Sequence, residues 1–156
     1  MATIDSPNSD EAAELFLRLL VAKAYDGAVE GTALILEKGP PGRKPSQDLS
    51  TLHRWFRGLD DKSRECVLAI IRHVSEATLF HCLVLLDGLA GYAIEGKVSD
   101  FAVYLQTYET NDARSANSPE TSVRLNPAHT TEYLHDRCRW ILQEHRGSAT
   151  SKQKAK

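Results

Sequence analysis

Cysteine is scarce in this chain of 156 residues. The three cysteines, Cys66, Cys82 and Cys138, form no CxxC pair. Their odd number excludes a complete disulfide framework of the kind found in small secreted proteins. We therefore expect reduced thiols, as in the cytoplasm.

Net charge is also small. Lysine and arginine number 19, aspartate and glutamate number 21, and the net charge is -2. A nucleic-acid-binding domain is usually strongly basic, so nucleic acid is not an expected partner. The charge nevertheless alternates along the chain, because residues 1–38 and 73–112 are acidic whereas 39–72 and 113–156 are basic. Such blocks can pair with one another inside the fold or present a polarised face to a partner.

Targeting and membrane signals are missing as well. The N-terminus has no basic region followed by an apolar stretch and a small-residue cleavage site, so no secretory signal is predicted. The uninterrupted apolar stretches fall far short of the roughly 20 residues that span a bilayer. The sequence therefore predicts a soluble cytoplasmic protein with no membrane partner.

The common catalytic motifs are absent from the sequence. It contains no GxSxG nucleophile motif, no GxxxxGK[ST] phosphate-binding loop, no HExxH zinc motif and no GxGxxG between a strand and a helix. Each of these motifs places a nucleophile, a phosphate-binding backbone or metal ligands at a fixed spacing. We therefore predict no cofactor and no metal, and we favour a non-catalytic protein.

Length and patterning indicate a single α+β domain over residues 9–147, with flexible termini at 1–8 and 148–156. Gly27 and Gly31 lie within the first predicted helix, where they indicate either a bend or a close approach of another backbone. Four helical segments are predicted from apolar spacing, capping residues and helix breakers. They run from Asn8 or Ser9 to about Lys38, from Ser46 to Gly58, from Asp60 or Asp61 to about Leu86, and from Asn126 and Pro127 to Gly147.

A small antiparallel sheet of two or three strands is predicted before the last helix, because the apolar pattern there alternates with a period of two. The strands are expected around Tyr92, over 101–107 and around Val123. The third helix is apolar on every side in its last two turns, LFHCLVLL. We therefore expect it to be the central, buried helix of a mainly helical fold.

His81 lies in this apolar stretch and is the strongest single candidate for a reactive residue. We favour a structural role, in which a buried neutral imidazole donates to a backbone carbonyl or a carboxylate. Cys82 cannot pair with it, because neighbouring residues on a helix point about 100° apart. The alternative is a small enzyme or metal-binding protein with a site centred on His81 that also uses Asp87, His135 and Cys138.

A partner-binding surface is predicted around the sheet. Polar aromatic and acidic residues fall there in glycine-rich or polar segments of the kind found in protein contacts. Self-association is a further alternative, through the helix that contains Gly27 and Gly31 or through an unpaired strand edge. The residues assigned to the partner-binding surface are Tyr92, Asp100, Tyr104, Tyr108, Glu109 and Asp112.

Four short motifs carry a resemblance to known proteins. They are GPPGR after an acidic first helix, W-F-x-x-L before a helix capped by two aspartates, F-x-x-L-x-x-L-D-G, and a late L-H-D. On these motifs the chain resembles, over about residues 9–138, a group of short bacterial α+β proteins that are similar in build to toxin-immunity proteins. The resemblance implies a protein that binds another protein, such as an immunity factor that neutralises a cognate toxin by direct binding. It implies no catalytic residue.

Overall fold

The computed structural model describes residues 8–89, 92–94, 97–99, 101–107, 121–126 and 132–154. The chain divides into two compact units. Unit 1 comprises Met1–Val21 and Phe80–Lys156, and unit 2 comprises Ala22–Leu79. The single folding domain over 9–147 stays a prediction.

Helices make up most of the described chain. The first helical segment consists of α1 (Ser9–Leu20), a π-helical turn (Val21–Tyr25) and α2 (Asp26–Lys38). It is followed by α3 (Gln47–Arg57), α4 (Asp61–Leu86) and, after the strands, α5 (Leu134–Lys154). Two antiparallel hairpins pair β1 (Tyr92–Ile94) with β2 (Lys97–Ser99) and β3 (Tyr104–Thr107) with β4 (Thr121–Arg124). The mainly helical α+β class is therefore confirmed.

Unit 1 contains most of the described core, where α1 packs on α5 and on β4. The first helix begins as predicted, since Asn8 Oδ1 accepts from the backbone N–H groups of Asp10 and Glu11 at 3.0 and 2.9 Å. The Ser9 hydroxyl donates to the Arg124 carbonyl at 2.8 Å and so joins the start of α1 to the end of β4. The buried apolar side chains of this unit are Ala12, Ala13, Leu17, Val21, Leu83, Leu125, Leu134, Cys138, Ile141 and Leu142.

Helix α5 does not begin at Asn126, contrary to prediction. The buried side-chain oxygen of Asn126 accepts from the Val103 N–H at 2.8 Å, and its amide donates to the carbonyls of Phe101, at 2.8 Å, and Leu86. One side chain therefore joins the end of α4, the approach to β3 and the end of β4. Helix α5 begins only at Leu134.

Helix α5 also continues further than predicted. Gly147 was expected to end it, yet the helix runs to Lys154. Gly147 does not adopt the positive φ that a glycine after a helix often takes. The alanine, lysine and glutamine residues that follow are good helix formers, so the helix can propagate through the glycine.

Unit 2 is built on α2 and α3, which pack together. His53 Nδ1 donates to the Leu36 carbonyl at 2.8 Å and so satisfies one of the free carbonyls in the last turn of α2. Gly39 ends α2 with φ +92° and ψ 160°, a backbone region that is essentially restricted to glycine. Among the described residues of this unit only Tyr25, Leu36 and Phe56 are buried apolar side chains.

Helix α4 departs most from the sequence prediction. It was expected to be buried on every side, but only Leu83 of its 26 residues is buried. The sequence correctly indicated an apolar helix. Within unit 2, however, α2 and α3 are the other helices available to cover it, and they leave much of its apolar surface exposed.

Alanine at Gly39 and at Gly31 should change stability in opposite directions. Gly39→Ala places a Cβ in a region restricted to glycine, so the free energy of unfolding should fall by about 1 to 3 kcal/mol. A Cβ at Gly31, inside α2, meets nothing within 4 Å, so Gly31→Ala should raise it by about 1 kcal/mol. Urea unfolding followed by circular dichroism measures both changes. A loss of stability in Gly31→Ala would contradict the open environment of that position.

Asp60 should make stability depend on pH. Its carboxylate caps α4 by accepting from the Ser63 backbone N–H at 2.9 Å and from the Ser63 hydroxyl at 2.8 Å. These hydrogen bonds lower the pKa of Asp60. The ionised carboxylate therefore stabilises the fold above the ordinary aspartate pKa of about 3.9, and this contribution is lost as the pH falls through the lowered value.

The stability difference between the wild type and Asp60→Asn should accordingly shrink when the pH is lowered from neutral to about 2.5. Urea unfolding at a series of pH values measures this difference. Asp61→Asn, which removes the neighbouring exposed carboxylate, is the matched control. An equal pH dependence in both variants would rule out the assignment to the Asp60 cap.

Candidate functional site

Asp87 and His135 meet, as the predicted alternative site requires. His135 Nδ1 donates to Asp87 Oδ2 at 2.7 Å. The pair is nearly enclosed, with 1% of the Asp87 side chain and 11% of the His135 side chain exposed. A buried carboxylate that orients an imidazole is an arrangement found behind catalytic and metal-ligating histidines.

Asp87 also caps α5. Its Oδ1 accepts from the Leu134 N–H at 3.1 Å, and its Oδ2 accepts from the His135 N–H at 3.0 Å. The local sequence places the carboxylate there, because the Asp87 N–H bonds to the Leu83 carbonyl at 2.8 Å and Gly88, with φ +74°, turns the chain after α4. Leu-Asp-Gly therefore ends one helix while its aspartate starts another.

Aromatic rings surround the His135 imidazole. Tyr133 stacks on it with centroids 5.6 Å apart, and Phe80 meets it edge-on at 5.2 Å. The Arg139 guanidinium lies 5.1 Å from the centroid of the Phe80 ring. The second ring nitrogen, Nε2, is 3.5 Å from Asp136 Oδ1. The ring is thus held in one orientation from several sides.

To act as a reactive site, Asp87 and His135 would need a third chemical group within reach. Cys138 is buried three residues further along α5. Within the ranges that the structure describes, no group of three or more histidine, cysteine, aspartate or glutamate side chains is arranged to hold a metal ion. The contacts of Asp87 and His135 are those of a helix cap. We therefore assign the pair a structural role and rank a reactive role below it.

His81 and Cys82 are exposed, so the prediction that they are buried in a core is wrong. The His81 ring touches Phe80 edge-on at 5.6 Å, and Phe80 also contacts His135. The apolar neighbours of His81 in sequence suggested burial, but they are distributed around a helix that is itself largely exposed. Of the four residues assigned to the alternative site, Asp87 and His135 are joined by a side-chain hydrogen bond.

The surface predicted around the sheet is described only in part. Tyr104 lies on β3 and is exposed, as a contact residue must be. Tyr92 lies on β1, but its side chain is outside the described set. Asp100, Tyr108, Glu109 and Asp112 also fall outside the described residues, so their role stays a prediction.

An exposed apolar surface on α3 was not predicted. Leu49, Leu52 and Trp55, hereafter the α3 face, recur at three-residue steps and are all exposed, with Leu52 at 47% and Trp55 at 51%. Leu49 and Leu52 share the apolar side of α3 with Phe56, at steps of three and four residues. Only Phe56 is buried. A strongly amphipathic helix thus presents part of its apolar side to solvent.

Several contacts fix the position of α3. His53 bonds to the end of α2, as described above. Arg64, at the start of α4, donates through Nε to the Phe56 carbonyl at 3.3 Å and through a terminal nitrogen to the Arg57 carbonyl at 2.8 Å. The α3 face is therefore presented by a helix that is anchored along its length and at its C-terminus.

Helix α4 is long and apolar enough to cross a membrane by length and composition. The expectation of a protein with no membrane partner stays a prediction. A core helix of a soluble protein passes the same test, but here only 6% of the apolar window is buried. Arg72 and Glu76 interrupt the apolar sequence of α4, and a charged side chain at the bilayer centre costs about 2.5 to 3.5 kcal/mol.

A groove of about 380 Å³ lies in unit 1. Its charged residues pair with one another, since Arg18 contacts Glu14 at 2.8 Å and Glu144 at 3.1 Å, and Arg137 lies 3.1 Å from Glu132. The hydrogen bonds with Glu14 and then Glu144 raise the pKa of Arg18 above its usual value. A ligand would have to displace these pairs, which makes the groove a weaker candidate than the α3 face. The lining residues are Glu14, Arg18, Glu132, Arg137, Trp140, Ile141 and Glu144.

Asp87→Ala should destabilise unit 1. The change removes a helix cap and leaves the His135 ring without its acceptor, so the free energy of unfolding should fall by about 2 kcal/mol or more. Asp136→Ala, which removes a more exposed carboxylate on the other side of the same ring, should cost less than about 1 kcal/mol. Urea unfolding of both variants measures the difference, and equal losses would contradict the capping role.

Comparison with known proteins identifies no relative: no protein-family model, curated protein or solved structure matches this chain. The resemblance to proteins built like toxin-immunity factors therefore stays a prediction. The geometry of the described residues is the basis for assigning a function.

Proposed function

We propose that this is a non-catalytic protein that acts by binding another protein, with the α3 face as a principal contact. The observation that carries this proposal is the exposure of Trp55 and Leu52 side by side on a fixed helix. Large aromatic residues are enriched among the few residues that dominate binding energy in protein interfaces.

The energetics of the α3 face favour binding. A tryptophan can bury about 150 to 250 Å², so covering the exposed half of Trp55 is worth about 2 to 3 kcal/mol at roughly 25 cal/mol per Å². Because hydrogen bonds already anchor α3 at both neighbouring helices, little backbone freedom is lost when a partner binds. Such preorganisation improves affinity without any additional contact.

The charge on the α3 face is that of one carboxylate. At about 100° per residue, the exposed Asp48 lies between Leu52 and Trp55, whereas Arg54 and Arg57 point roughly 160° and 140° away from Leu52. A partner with an apolar centre and a basic group opposite Asp48 would complement this surface. A cognate toxin neutralised in the cytoplasm is the partner class that the immunity-protein resemblance implies, and it belongs to this proposal.

A second candidate function is supported by the hydrogen bond between Asp87 and His135. An enzyme or metal-binding protein would use this pair, centred on His135 rather than on the exposed His81. The bond orients the imidazole, as such sites require. The same bond also serves as part of the α5 cap, so we rank this function below protein binding.

Capture of a partner tests the binding proposal. Tagged full-length protein should retain one stoichiometric protein from native cytoplasm at low salt, where charge-dependent contacts are strongest. The interaction should then be reconstituted from purified components, with the Kd measured by calorimetry. A toxin-immunity pair would further require that the partner be toxic when it is expressed alone.

Variants of the α3 face should weaken this complex. Trp55→Ala and Leu52→Glu should raise the Kd by at least about 30-fold, because they remove contacts of the kind that dominate interfaces. Leu19→Glu is the matched control, since Leu19 of α1 is exposed to a similar extent as Leu52. Undiminished affinity in both α3 variants would refute this assignment of the surface.

A further inference from the structure

The groove in unit 1 has an excess of negative charge at one end. The Arg137 guanidinium lies there, 3.1 Å from Glu132 Oε2 and in contact with the Asp10 carboxylate. Arg137 is mostly enclosed, with 18% of its side chain exposed, whereas about half of the Glu132 side chain faces solvent. Two carboxylates thus flank one guanidinium, so the net charge of this end is -1.

The other end of the groove repeats this arrangement. Arg18 contacts Glu14 at 2.8 Å and Glu144 at 3.1 Å, which again gives a net charge of -1. Arg137 and Glu144 both line the groove from α5, and the rise between them along the helix is about 10 Å. The groove therefore offers two places for a positive charge at a fixed spacing.

An aromatic ring lies between the two ends along α5. Trp140 lines the groove and is 68% exposed, although tryptophan is highly buried on average. Ile141, the next residue, is buried and gives the groove an apolar wall. The face of an indole ring attracts cations, and its area can cover an alkyl chain. The ring thus suits the same class of ligand as the carboxylates.

The cost of displacing the ion pairs depends on the charge of the ligand. An anion would have to draw both guanidinium groups away from their carboxylates. A carboxylate has about four acceptor positions, so each end can accept from an ammonium group while its guanidinium stays in contact. The volume of the groove, about 380 Å³, lies in the range typical of small-molecule sites.

From these observations we infer that the groove binds a small aliphatic diamine or polyamine, with one ammonium group at each end and the alkyl chain against Trp140. Such a ligand would neutralise the charge of both ends at once. The site is separate from the α3 face and does not depend on the proposed function.

Calorimetric titration of the full chain at low salt tests this inference, because exposed charges are screened at higher salt. 1,8-Diaminooctane, which is long enough to reach both ends, should bind with a Kd of about 0.1 to 1 mM. The Kd of 1,3-diaminopropane should be at least about 10-fold higher, because this shorter diamine reaches one end at a time and loses the second contact. Octanedioate, an eight-carbon chain with a carboxylate at each end, should not bind.

Variants of the groove should weaken binding of 1,8-diaminooctane. Glu132→Gln and Glu144→Gln should each raise the Kd by at least about 5-fold, and Trp140→Ala by at least about 3-fold. These three side chains are more than half exposed, so the variants should fold. Glu37→Gln, which removes the same charge from an exposed position on α2 in unit 2, is the matched control and should leave the Kd unchanged.

Four outcomes would overturn the inference. They are an absence of binding up to about 10 mM diamine, equal affinity for the long and the short diamine, binding of octanedioate, and an equal loss of affinity in Glu37→Gln and the two groove variants. The last result would mean that the diamine responds only to the total charge of the protein.

Discussion

The carboxylate of Asp87 is the constraint on which the C-terminal part of unit 1 depends. It accepts hydrogen bonds from two backbone amides and one imidazole, all from residues about 47 positions later in the chain. Asn126 reinforces this junction by bonding to Leu86, the residue before Asp87. Two polar side chains thus fix where α4 ends, where the β3–β4 hairpin attaches and where α5 begins, while the apolar core between α1 and α5 supplies the remaining stability.

The two units distribute their apolar residues differently. Among the described residues, unit 1 encloses most of the buried apolar side chains, but both units also leave large apolar side chains exposed, such as Leu15 and Trp140 in unit 1 and Trp55 and Ile70 in unit 2. In unit 1 one side of α1 packs on α5 and β4, whereas the packing described in unit 2 is that between α2 and α3. The open apolar face of α3 is the observation on which the proposal of protein binding rests.

The sequence predicted those features that depend on nearby residues. The Asn8 cap, the class of fold and the strands at Tyr92, 104–107 and Val123 all rest on local spacing. It failed where distant residues decide. The true cap of α5 is Asp87, so the local signal at Asn126 and Pro127 was misleading. The exposure of α3 and α4 could not be predicted either, because helical periodicity identifies an apolar side but does not say whether the chain has enough other surface to cover it.

The cap that Asp87 provides has a consequence for the dynamics of unit 1. The amide protons of Leu134 and His135 are bonded to a side chain about 47 positions earlier in the chain, whereas the first amides of a helix are usually satisfied by a neighbouring cap residue or by water. Helix α5 therefore cannot fray from its N-terminus unless the junction at the end of α4 opens too. Hydrogen exchange at these two amides would report on cooperative opening of this part of unit 1 and not on local motion of a helix end.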